Sequence, residues 1–394
     1  MMQSIEALPQ PDEGAKQRSR ALTACIVEAC DRQGGSIAFS HFMQMALYQP
    51  GLGYYSGGLQ KFGEAGDFIT APEVSPLFSR SIARQLAQLF NDTELVDVME
   101  FGAGSGVMAA DILLELEQLQ ALPGQYYIVE LSAELRERQQ RTIRAKAPHL
   151  SATVQWLEAL PQQTMKGVVI ANEVLDAMPV ECFRISGRAV EQLRVMAHND
   201  RLQAAYAEAD EAFVAQVRTL EQRRGKAFET GFSSEFNPAI QGWLSSIDDL
   251  LDAGVVLIID YGYPVREYYL DERSSGTLIC HYQHRAHADP LWYPGLQDIT
   301  AFVDFSAVAH AADATGFDVS GYTSQAMFLL GCGLDVLHQS EKSDDPKQQL
   351  LLAQQIKTLT LPSEMGERFK AMALSKAIDL SLIGFALQDY RNRL

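Results

Sequence analysis

Leu95-Val96-Asp97-Val98-Met99-Glu100, running straight into Phe101-Gly102-Ala103-Gly104-Ser105-Gly106, decides how this chain folds. The first six residues read as a strand, the glycines as a turn, and residues 107–119, with Ile112, Leu113 and Leu116 on one face, as a helix. Tyr126-Tyr127-Ile128-Val129-Glu130 supplies the next strand and completes a βαβ unit. Further out, a helix opened by Ser132 and closed before Pro148, a strand around Val154-Gln155-Trp156 and a buried strand at 167–171 continue the alternation. Such alternation specifies a parallel, doubly wound sheet.

The pattern breaks at residues 181–209, where three short alternating strands separated by Ser186-Gly187 and Asn199-Asp200 read as a β-rich insertion. An amphipathic helix at 240–251 and the apolar run 255–260, ending at Asp260 before the turn Tyr261-Gly262-Tyr263-Pro264, bring the chain back to the core. Beyond a His- and Asp-containing loop lie a helix at 305–314 and a stretch at 318–330 that reads as a closing antiparallel pair, with the remainder helical. At the other end, Ser40 is placed to cap a helix at 41–48 and Ser75 to cap one carrying Ile82, Leu86 and Leu89. Residues 1–20, with Pro9, Pro11 and Gly14, read as a mobile tail. The expected division is 1–20, 21–180 and the insertion 181–240, then 241–394.

The 394 residues are 47% hydrophobic and 21% charged, an ordinary globular composition. Their 32 Lys and Arg against 50 Asp and Glu leave a net charge of −18, which repels phosphate backbones and disfavours a nucleic-acid partner. The longest apolar run is far short of the ~20 residues that cross a bilayer, so no membrane insertion is expected. Five scattered cysteines without a CxxC argue for a reducing compartment. With no apolar leader, and with Glu6, Asp12 and Glu13 in place of an acid-poor transit sequence, the expectation is a cytoplasmic protein.

Gly102, Ala103, Gly104 and Gly106 form a GxGxG turn behind the acidic Glu100. Glycines at a strand-to-helix turn let the backbone approach a ligand. A pyrophosphate prefers the bare helix N-terminus, whereas the ammonium and sulfonium of S-adenosylmethionine (SAM) are served by a carboxylate such as Glu100. The competing reading is a turn that binds nothing. Glu130, ending the neighbouring strand, is placed to accept ribose hydroxyls, and Leu157 and Glu158 occupy the position that commonly brackets an adenine. Asn172, Glu173 and Asp176 follow the next strand and can hold a cationic substrate, against the alternative of a capped turn with a solvated Asp176. This is not the Asn-Pro-Pro-aromatic motif of amide and adenine N-methyltransferases. His281, His284 and His287, with Asp289, have a metal-like spacing, but Pro290 and Pro294 place them in a loop, and no cysteine or HExxH supports zinc. A substrate-side or hydrogen-bonding role is expected there, with no metal. No GxSxG elbow or Walker loop is present.

The blocks EFGAGSG (100–106), YYIVELS (126–132), ANEVLDAMPV (171–180), LIIDYGYP (257–264) and CHYQHRAHADPLWYPGLQDITAFVDFSA (280–307) resemble the MidA-like class I SAM-dependent methyltransferases. So do GLGYYS (51–56), FGEAGDFITAPEVSPLF (62–78) and LPSEMGERFKAMAL (361–374). The resemblance implies an α/β, Rossmann-like seven-stranded sheet with added N- and C-terminal helices and a β-rich insertion, and SAM as methyl donor. It makes the loop holding Asp67, Thr70, Pro72 and Glu73 a wall of the site, Thr70 and Pro72 toward the cofactor, Asp67 and Glu73 toward substrate. Asp260, Tyr261, His281 and His284 fall on the substrate side, and Glu173, Asp176 and Asn172 become the catalytic candidates. Mitochondrial members of the family methylate an arginine during assembly of respiratory complex I. The resemblance therefore implies protein-arginine N-methylation with a complex I subunit as partner, the alternatives being a SAM-binding assembly chaperone or a small-molecule methyltransferase.

Overall fold

A computed structural model describes residues 5–57, 70–198, 201–341 and 344–394. They form two compact units: a first of Met1–Phe68, Asp176–Ile240 and Tyr263–Ser306, and a second of Ile69–Leu175, Gln241–Gly262 and Ala307–Leu394.

The second unit contains the expected doubly wound sheet. Its strands are β1 (Asp97–Phe101), β2 (Tyr126–Val129), β3 (Val154–Leu157), β4 (Met165–Asn172), β5 (Leu251–Tyr263), β6 (Asp318–Ser324) and β7 (Phe369–Lys376). They lie in the order β6–β7–β5–β4–β1–β2–β3, with β1 to β6 running in one direction and β7 antiparallel to both its neighbours, β5 and β6. β4 and β5 are apolar almost without interruption because parallel strands in such a sheet are covered on both faces. The helices α1 (Pro76–Asp92), α2 (Val107–Gln118) and α3 (Ala133–Lys146) bring Ile82, Leu86, Ile112, Leu116 and Ile143 into one core with Val98, Ile128, Val168 and Ile170. Ser75 and Ser132 cap α1 and α3 as expected, their hydroxyls accepting the Leu77 and Leu135 N–H groups. The order of strands reverses between β1 and β4, the place where open α/β sheets form a ligand crevice.

The C-terminal region departs from the helical expectation. Helices span Gln325–Gly331, Leu334–Ser340 and Pro346–Thr360, but Phe369–Lys376 is strand β7, inserted between β5 and β6. Ala, Met and Leu favour a helix in isolation; here the segment is almost wholly buried, pairing Leu374 with Val256 and Met372 with Tyr322. Two neighbouring ladders outweigh intrinsic propensities of a few tenths of a kcal/mol per residue.

In the first unit Ser36–Ala38, Glu181–Ser186, Ala189–His198, Arg201–Glu208 and Ser233–Phe236 form one antiparallel sheet, and Ile279–Tyr282, Arg285–His287 and Asp298–Thr300 a second. The expected boundaries at 20, 180 and 240 give way to this arrangement because the β-rich segment does not close on itself: Ile37 pairs with Val195. Nor is the whole stretch 1–20 a tail. Asp12 caps a helix over Glu13–Arg32, whose buried Leu22 and Ile26 pack with Phe39 and Phe42. The following helix spans Phe39–Tyr48 from Ala38, not Ser40; the Ser40 hydroxyl donates instead to the Glu181 carboxylate. Leu374→Ala should cost about 2–5 kcal/mol, read as a lower urea midpoint, whereas an exposed helical leucine would cost only a few tenths.

Candidate functional site

The turn after β1 is built by its glycines. Gly102, Gly104 and Gly106 all have positive φ, and Gly106 begins α2 in the left-handed conformation. A Cβ on Gly106 would lie 2.9 Å from Gln139 Cα on α3, so strain and space both exclude a side chain. The Ser105 hydroxyl donates to Glu73, tying the short helix Ala71–Val74 to the turn. Beneath it Glu100 is fully buried, with Oε2 accepting the Tyr126 hydroxyl at 2.7 Å and Oε1 making no hydrogen bond among the described residues. Burial pushes its pKa up to about 7; the Tyr126 hydrogen bond opposes this and the Glu130 charge adds to it.

Glu130, one strand over, is 8% exposed. Its Oε1 accepts the Ser132 N–H at 2.8 Å and its Oε2 the Gln139 amide at 2.9 Å. The carbonyl of Leu157, at the end of β3, accepts the Glu130 N–H, and Glu158 is an exposed ion-pair partner of Arg136. Arg136 also donates to the Glu130 carbonyl, so the structure brings Glu130, Leu157 and Glu158 close together. Tyr126 and Gln139 were not among the sequence candidates. The signal for Gln139 was a polar residue in the buried register Leu135, Gln139, Ile143 of α3.

At the end of β4 the backbone is strained. Glu173 has φ 52°, a left-handed conformation that costs a residue with a Cβ roughly 1–2 kcal/mol. Two bonds to β5 hold it there: Glu173 N–H to the Ile259 carbonyl at 2.9 Å, and Leu175 N–H to Asp260 Oδ2 at 3.0 Å. Asp260, expected on the substrate side, is fully buried, and its other oxygen accepts the Tyr261 N–H; its carboxylate shapes the backbone. Tyr261 packs edge-on against Phe369. Asn172 donates weakly to Glu173 Oε1 at 3.4 Å, while its buried Oδ1 makes no hydrogen bond among the described residues.

Thr70 precedes the Ala71–Val74 helix without a side-chain cap bond, and Pro72 is buried within it; Asp67 lies outside the described residues. Asp176 belongs to the first unit, where its carbonyl accepts the Ala301 N–H and its charge adds to that of Asp298 in holding the Tyr55 phenol well above its usual range, burial being the main cause. The histidine segment, expected as a loop, is a β-hairpin. Gln283 and His284 take positive φ at its tip, the geometry of a tight two-residue turn, and the prolines lie beyond it. His281 pairs with Ala286 and His287 with Cys280, so the two histidines occupy opposite faces. Burial lowers the pKa of both. Among the described residues no group of three His, Cys, Asp or Glu side chains is placed to hold a metal.

Two buried oxygens without partners among the described residues, Glu100 Oε1 and Asn172 Oδ1, thus stand at the C-terminal ends of the adjacent strands β1 and β4. Leaving such acceptors unsatisfied costs free energy that a donor-bearing, cationic ligand would recover. With the turn's glycines and the Glu130 carboxylate just beyond β2, these acceptors fit the ammonium, sulfonium and ribose hydroxyls of SAM.

Comparison with known proteins agrees. Residues 81–323 match the Methyltransf_28 family of S-adenosyl-L-methionine-dependent methyltransferases, and the chain belongs to that family. Its structure superposes on a COG1565 superfamily member from Burkholderia thailandensis bound to S-adenosylhomocysteine, with TM-score 0.93 and 42% identity over 98% of this chain and 100% of that one. It is 28% identical to the Drosophila melanogaster protein arginine methyltransferase NDUFAF7 homolog, over 94% of this chain and 87% of that one. To human NDUFAF7, a mitochondrial protein arginine methyltransferase, it is 27% identical over 86% and 80%. The chain is a SAM-dependent methyltransferase of α/β fold. The expected cytoplasmic location is overturned by these relatives, which are named as mitochondrial. Reduced cysteines and the lack of a helix long and apolar enough to cross a membrane among the described residues do not distinguish one reducing compartment from another.

Because Glu100 takes up its proton more readily when folded, it favours the folded state below its unfolded pKa of about 4.5 and opposes it increasingly as pH rises to about 7. Relative to Glu100→Gln, the ligand-free protein should lose on the order of 3 kcal/mol across that window, measured by urea unfolding at a series of pH values.

Proposed function

We propose that this methyltransferase transfers a methyl group to the guanidinium of an arginine in a partner protein. The observation that carries the proposal is the strained Glu173 turn, a carboxylate held at the end of β4 by Ile259 and Asp260 in a chain similar over most of its length to named protein arginine methyltransferases. The family resemblance adds a subunit of respiratory complex I as the partner.

Glu100, the turn Gly102–Gly106 and Glu130 would hold the cofactor, with Glu100 available to its cationic groups and Glu130 to its ribose hydroxyls. When bound, SAM supplies a methyl group activated on a sulfonium. Residues of this chain then have to orient the nucleophile, since displacement at a methyl carbon depends mainly on in-line approach. Free guanidinium remains protonated. Glu173, pairing with the nitrogens that do not react, draws the charge toward them and leaves a lone pair on the third, whose proton departs after the new N–C bond forms. Asn172, beside it, is placed to fix the carboxylate's direction.

Gly104→Val should abolish SAM binding in calorimetry, and wild-type affinity should rise as pH passes about 7 and Glu100 ionises. Equal affinity in the variant would refute the cofactor assignment. Glu173→Gln should keep SAM affinity but lower methyl incorporation into the partner by ~10²-fold or more; unchanged turnover would remove Glu173 from catalysis. Mass spectrometry of arginine methylation in cells with and without the gene identifies the substrate, and the absence of any arginine difference would overturn the proposal.

A further inference from the structure

The side chain of Gln139 is fully buried and bonded at both ends. Its Nε2 donates to Glu130 Oε2 at 2.9 Å and to the Gly104 carbonyl at 3.2 Å, while its Oε1 accepts the Trp156 indole N–H at 3.0 Å. This orientation of the amide is dictated by its partners. Indole nitrogen only donates, and carboxylate and carbonyl oxygens only accept, so the reversed amide would face three mismatched groups. One side chain on α3 thereby joins the turn after β1, the carboxylate ending β2 and the indole of β3.

We propose that Gln139 is the positioning residue of the adenosine half of the cofactor site, fixing Glu130 and the glycine turn in their binding geometry before SAM arrives. The proposal rests on the reading of Glu130 as the ribose ligand. The Ser132 N–H and the Gln139 amide bond different oxygens of Glu130, so that Gln139 adds a second direction of restraint on its carboxylate. The amide holds the second oxygen, so less ordering remains to be done on binding. Gly106 reports the same constraint from the other side, because its missing side chain is what allows α3 to bring Gln139 up to the turn. Among the described residues, Glu130 is bonded to the amide, its charge acts on Glu100, and Arg136 of α3, paired with Glu158, donates to the Glu130 carbonyl.

Calorimetric titration with S-adenosylhomocysteine across about pH 5.5 to 8.5 tests this in the full chain. Gln139→Met should bind at least ~10-fold more weakly throughout, having lost the bond to a charged acceptor. Gln139→Glu is the sharper variant. A protonated carboxyl can still donate to Glu130, whereas an ionised one repels it, so affinity should fall as pH rises, opposite to the wild-type trend. Thermal melts of the ligand-free variants over the same range separate binding from folding. A Gln139→Glu affinity that follows the wild-type pH slope, or that falls only as the fraction of folded protein falls, overturns the proposal. Glu130→Gln distinguishes the two levels: wild-type binding by that variant would refute the ribose role of Glu130. Weakened binding there, with a wild-type slope in Gln139→Glu, would refute the role of Gln139 alone.

Discussion

Strand β1 is hydrogen-bonded in parallel on both sides, and the candidate site of the second unit depends on that pairing. Its register sets Phe101 level with Val129 on one side and with Ala171 on the other. The glycine turn, Glu130 and the Asn172–Glu173 turn therefore leave the sheet along one edge. The strand order reverses between β1 and β4 at that edge, the position at which open α/β sheets bind ligands.

Buried carboxylates in this chain fall into two kinds. Glu235, in the first unit, has one oxygen accepting the Tyr268 hydroxyl and both the N–H and hydroxyl of Thr277; burial raises its pKa and those bonds oppose the rise. Asp260 is likewise engaged by two backbone N–H groups. Such groups fix local structure. Glu100 differs, with one donor on one oxygen and none on the other among the described residues. A carboxyl left in that state is poorly suited to a packed core and well suited to a cationic ligand, which supplies the missing donor and the compensating charge together.

The Glu173 turn shows how strain is maintained. A residue with a side chain in the left-handed region persists only where its surroundings over-determine it. Here β5 provides two bonds, one from its backbone and one from the Asp260 side chain. Asp260 lies far along the sequence from Glu173, so its part in holding the turn is a matter of strand adjacency.

Local pattern carried the βαβ core, the caps at Ser75 and Ser132, the glycine turn and the acidic residues on successive strands, because strand and helix periodicities and the chemistry of glycine act over a few residues. That was enough to specify the parallel core and to point to a nucleoside-containing cofactor, while the family followed from the resemblance of longer blocks of sequence. Contacts between distant segments decided the rest. Phe369–Lys376 is a strand only because β5 and β6 offer it two ladders, and Ile37 joins the β-rich segment only through its pairing with Val195. Gln139 became a site residue only when α3 packed against the turn after β1. Burial, strand neighbours and the partner of each buried oxygen belong to the folded chain, and no periodicity records them.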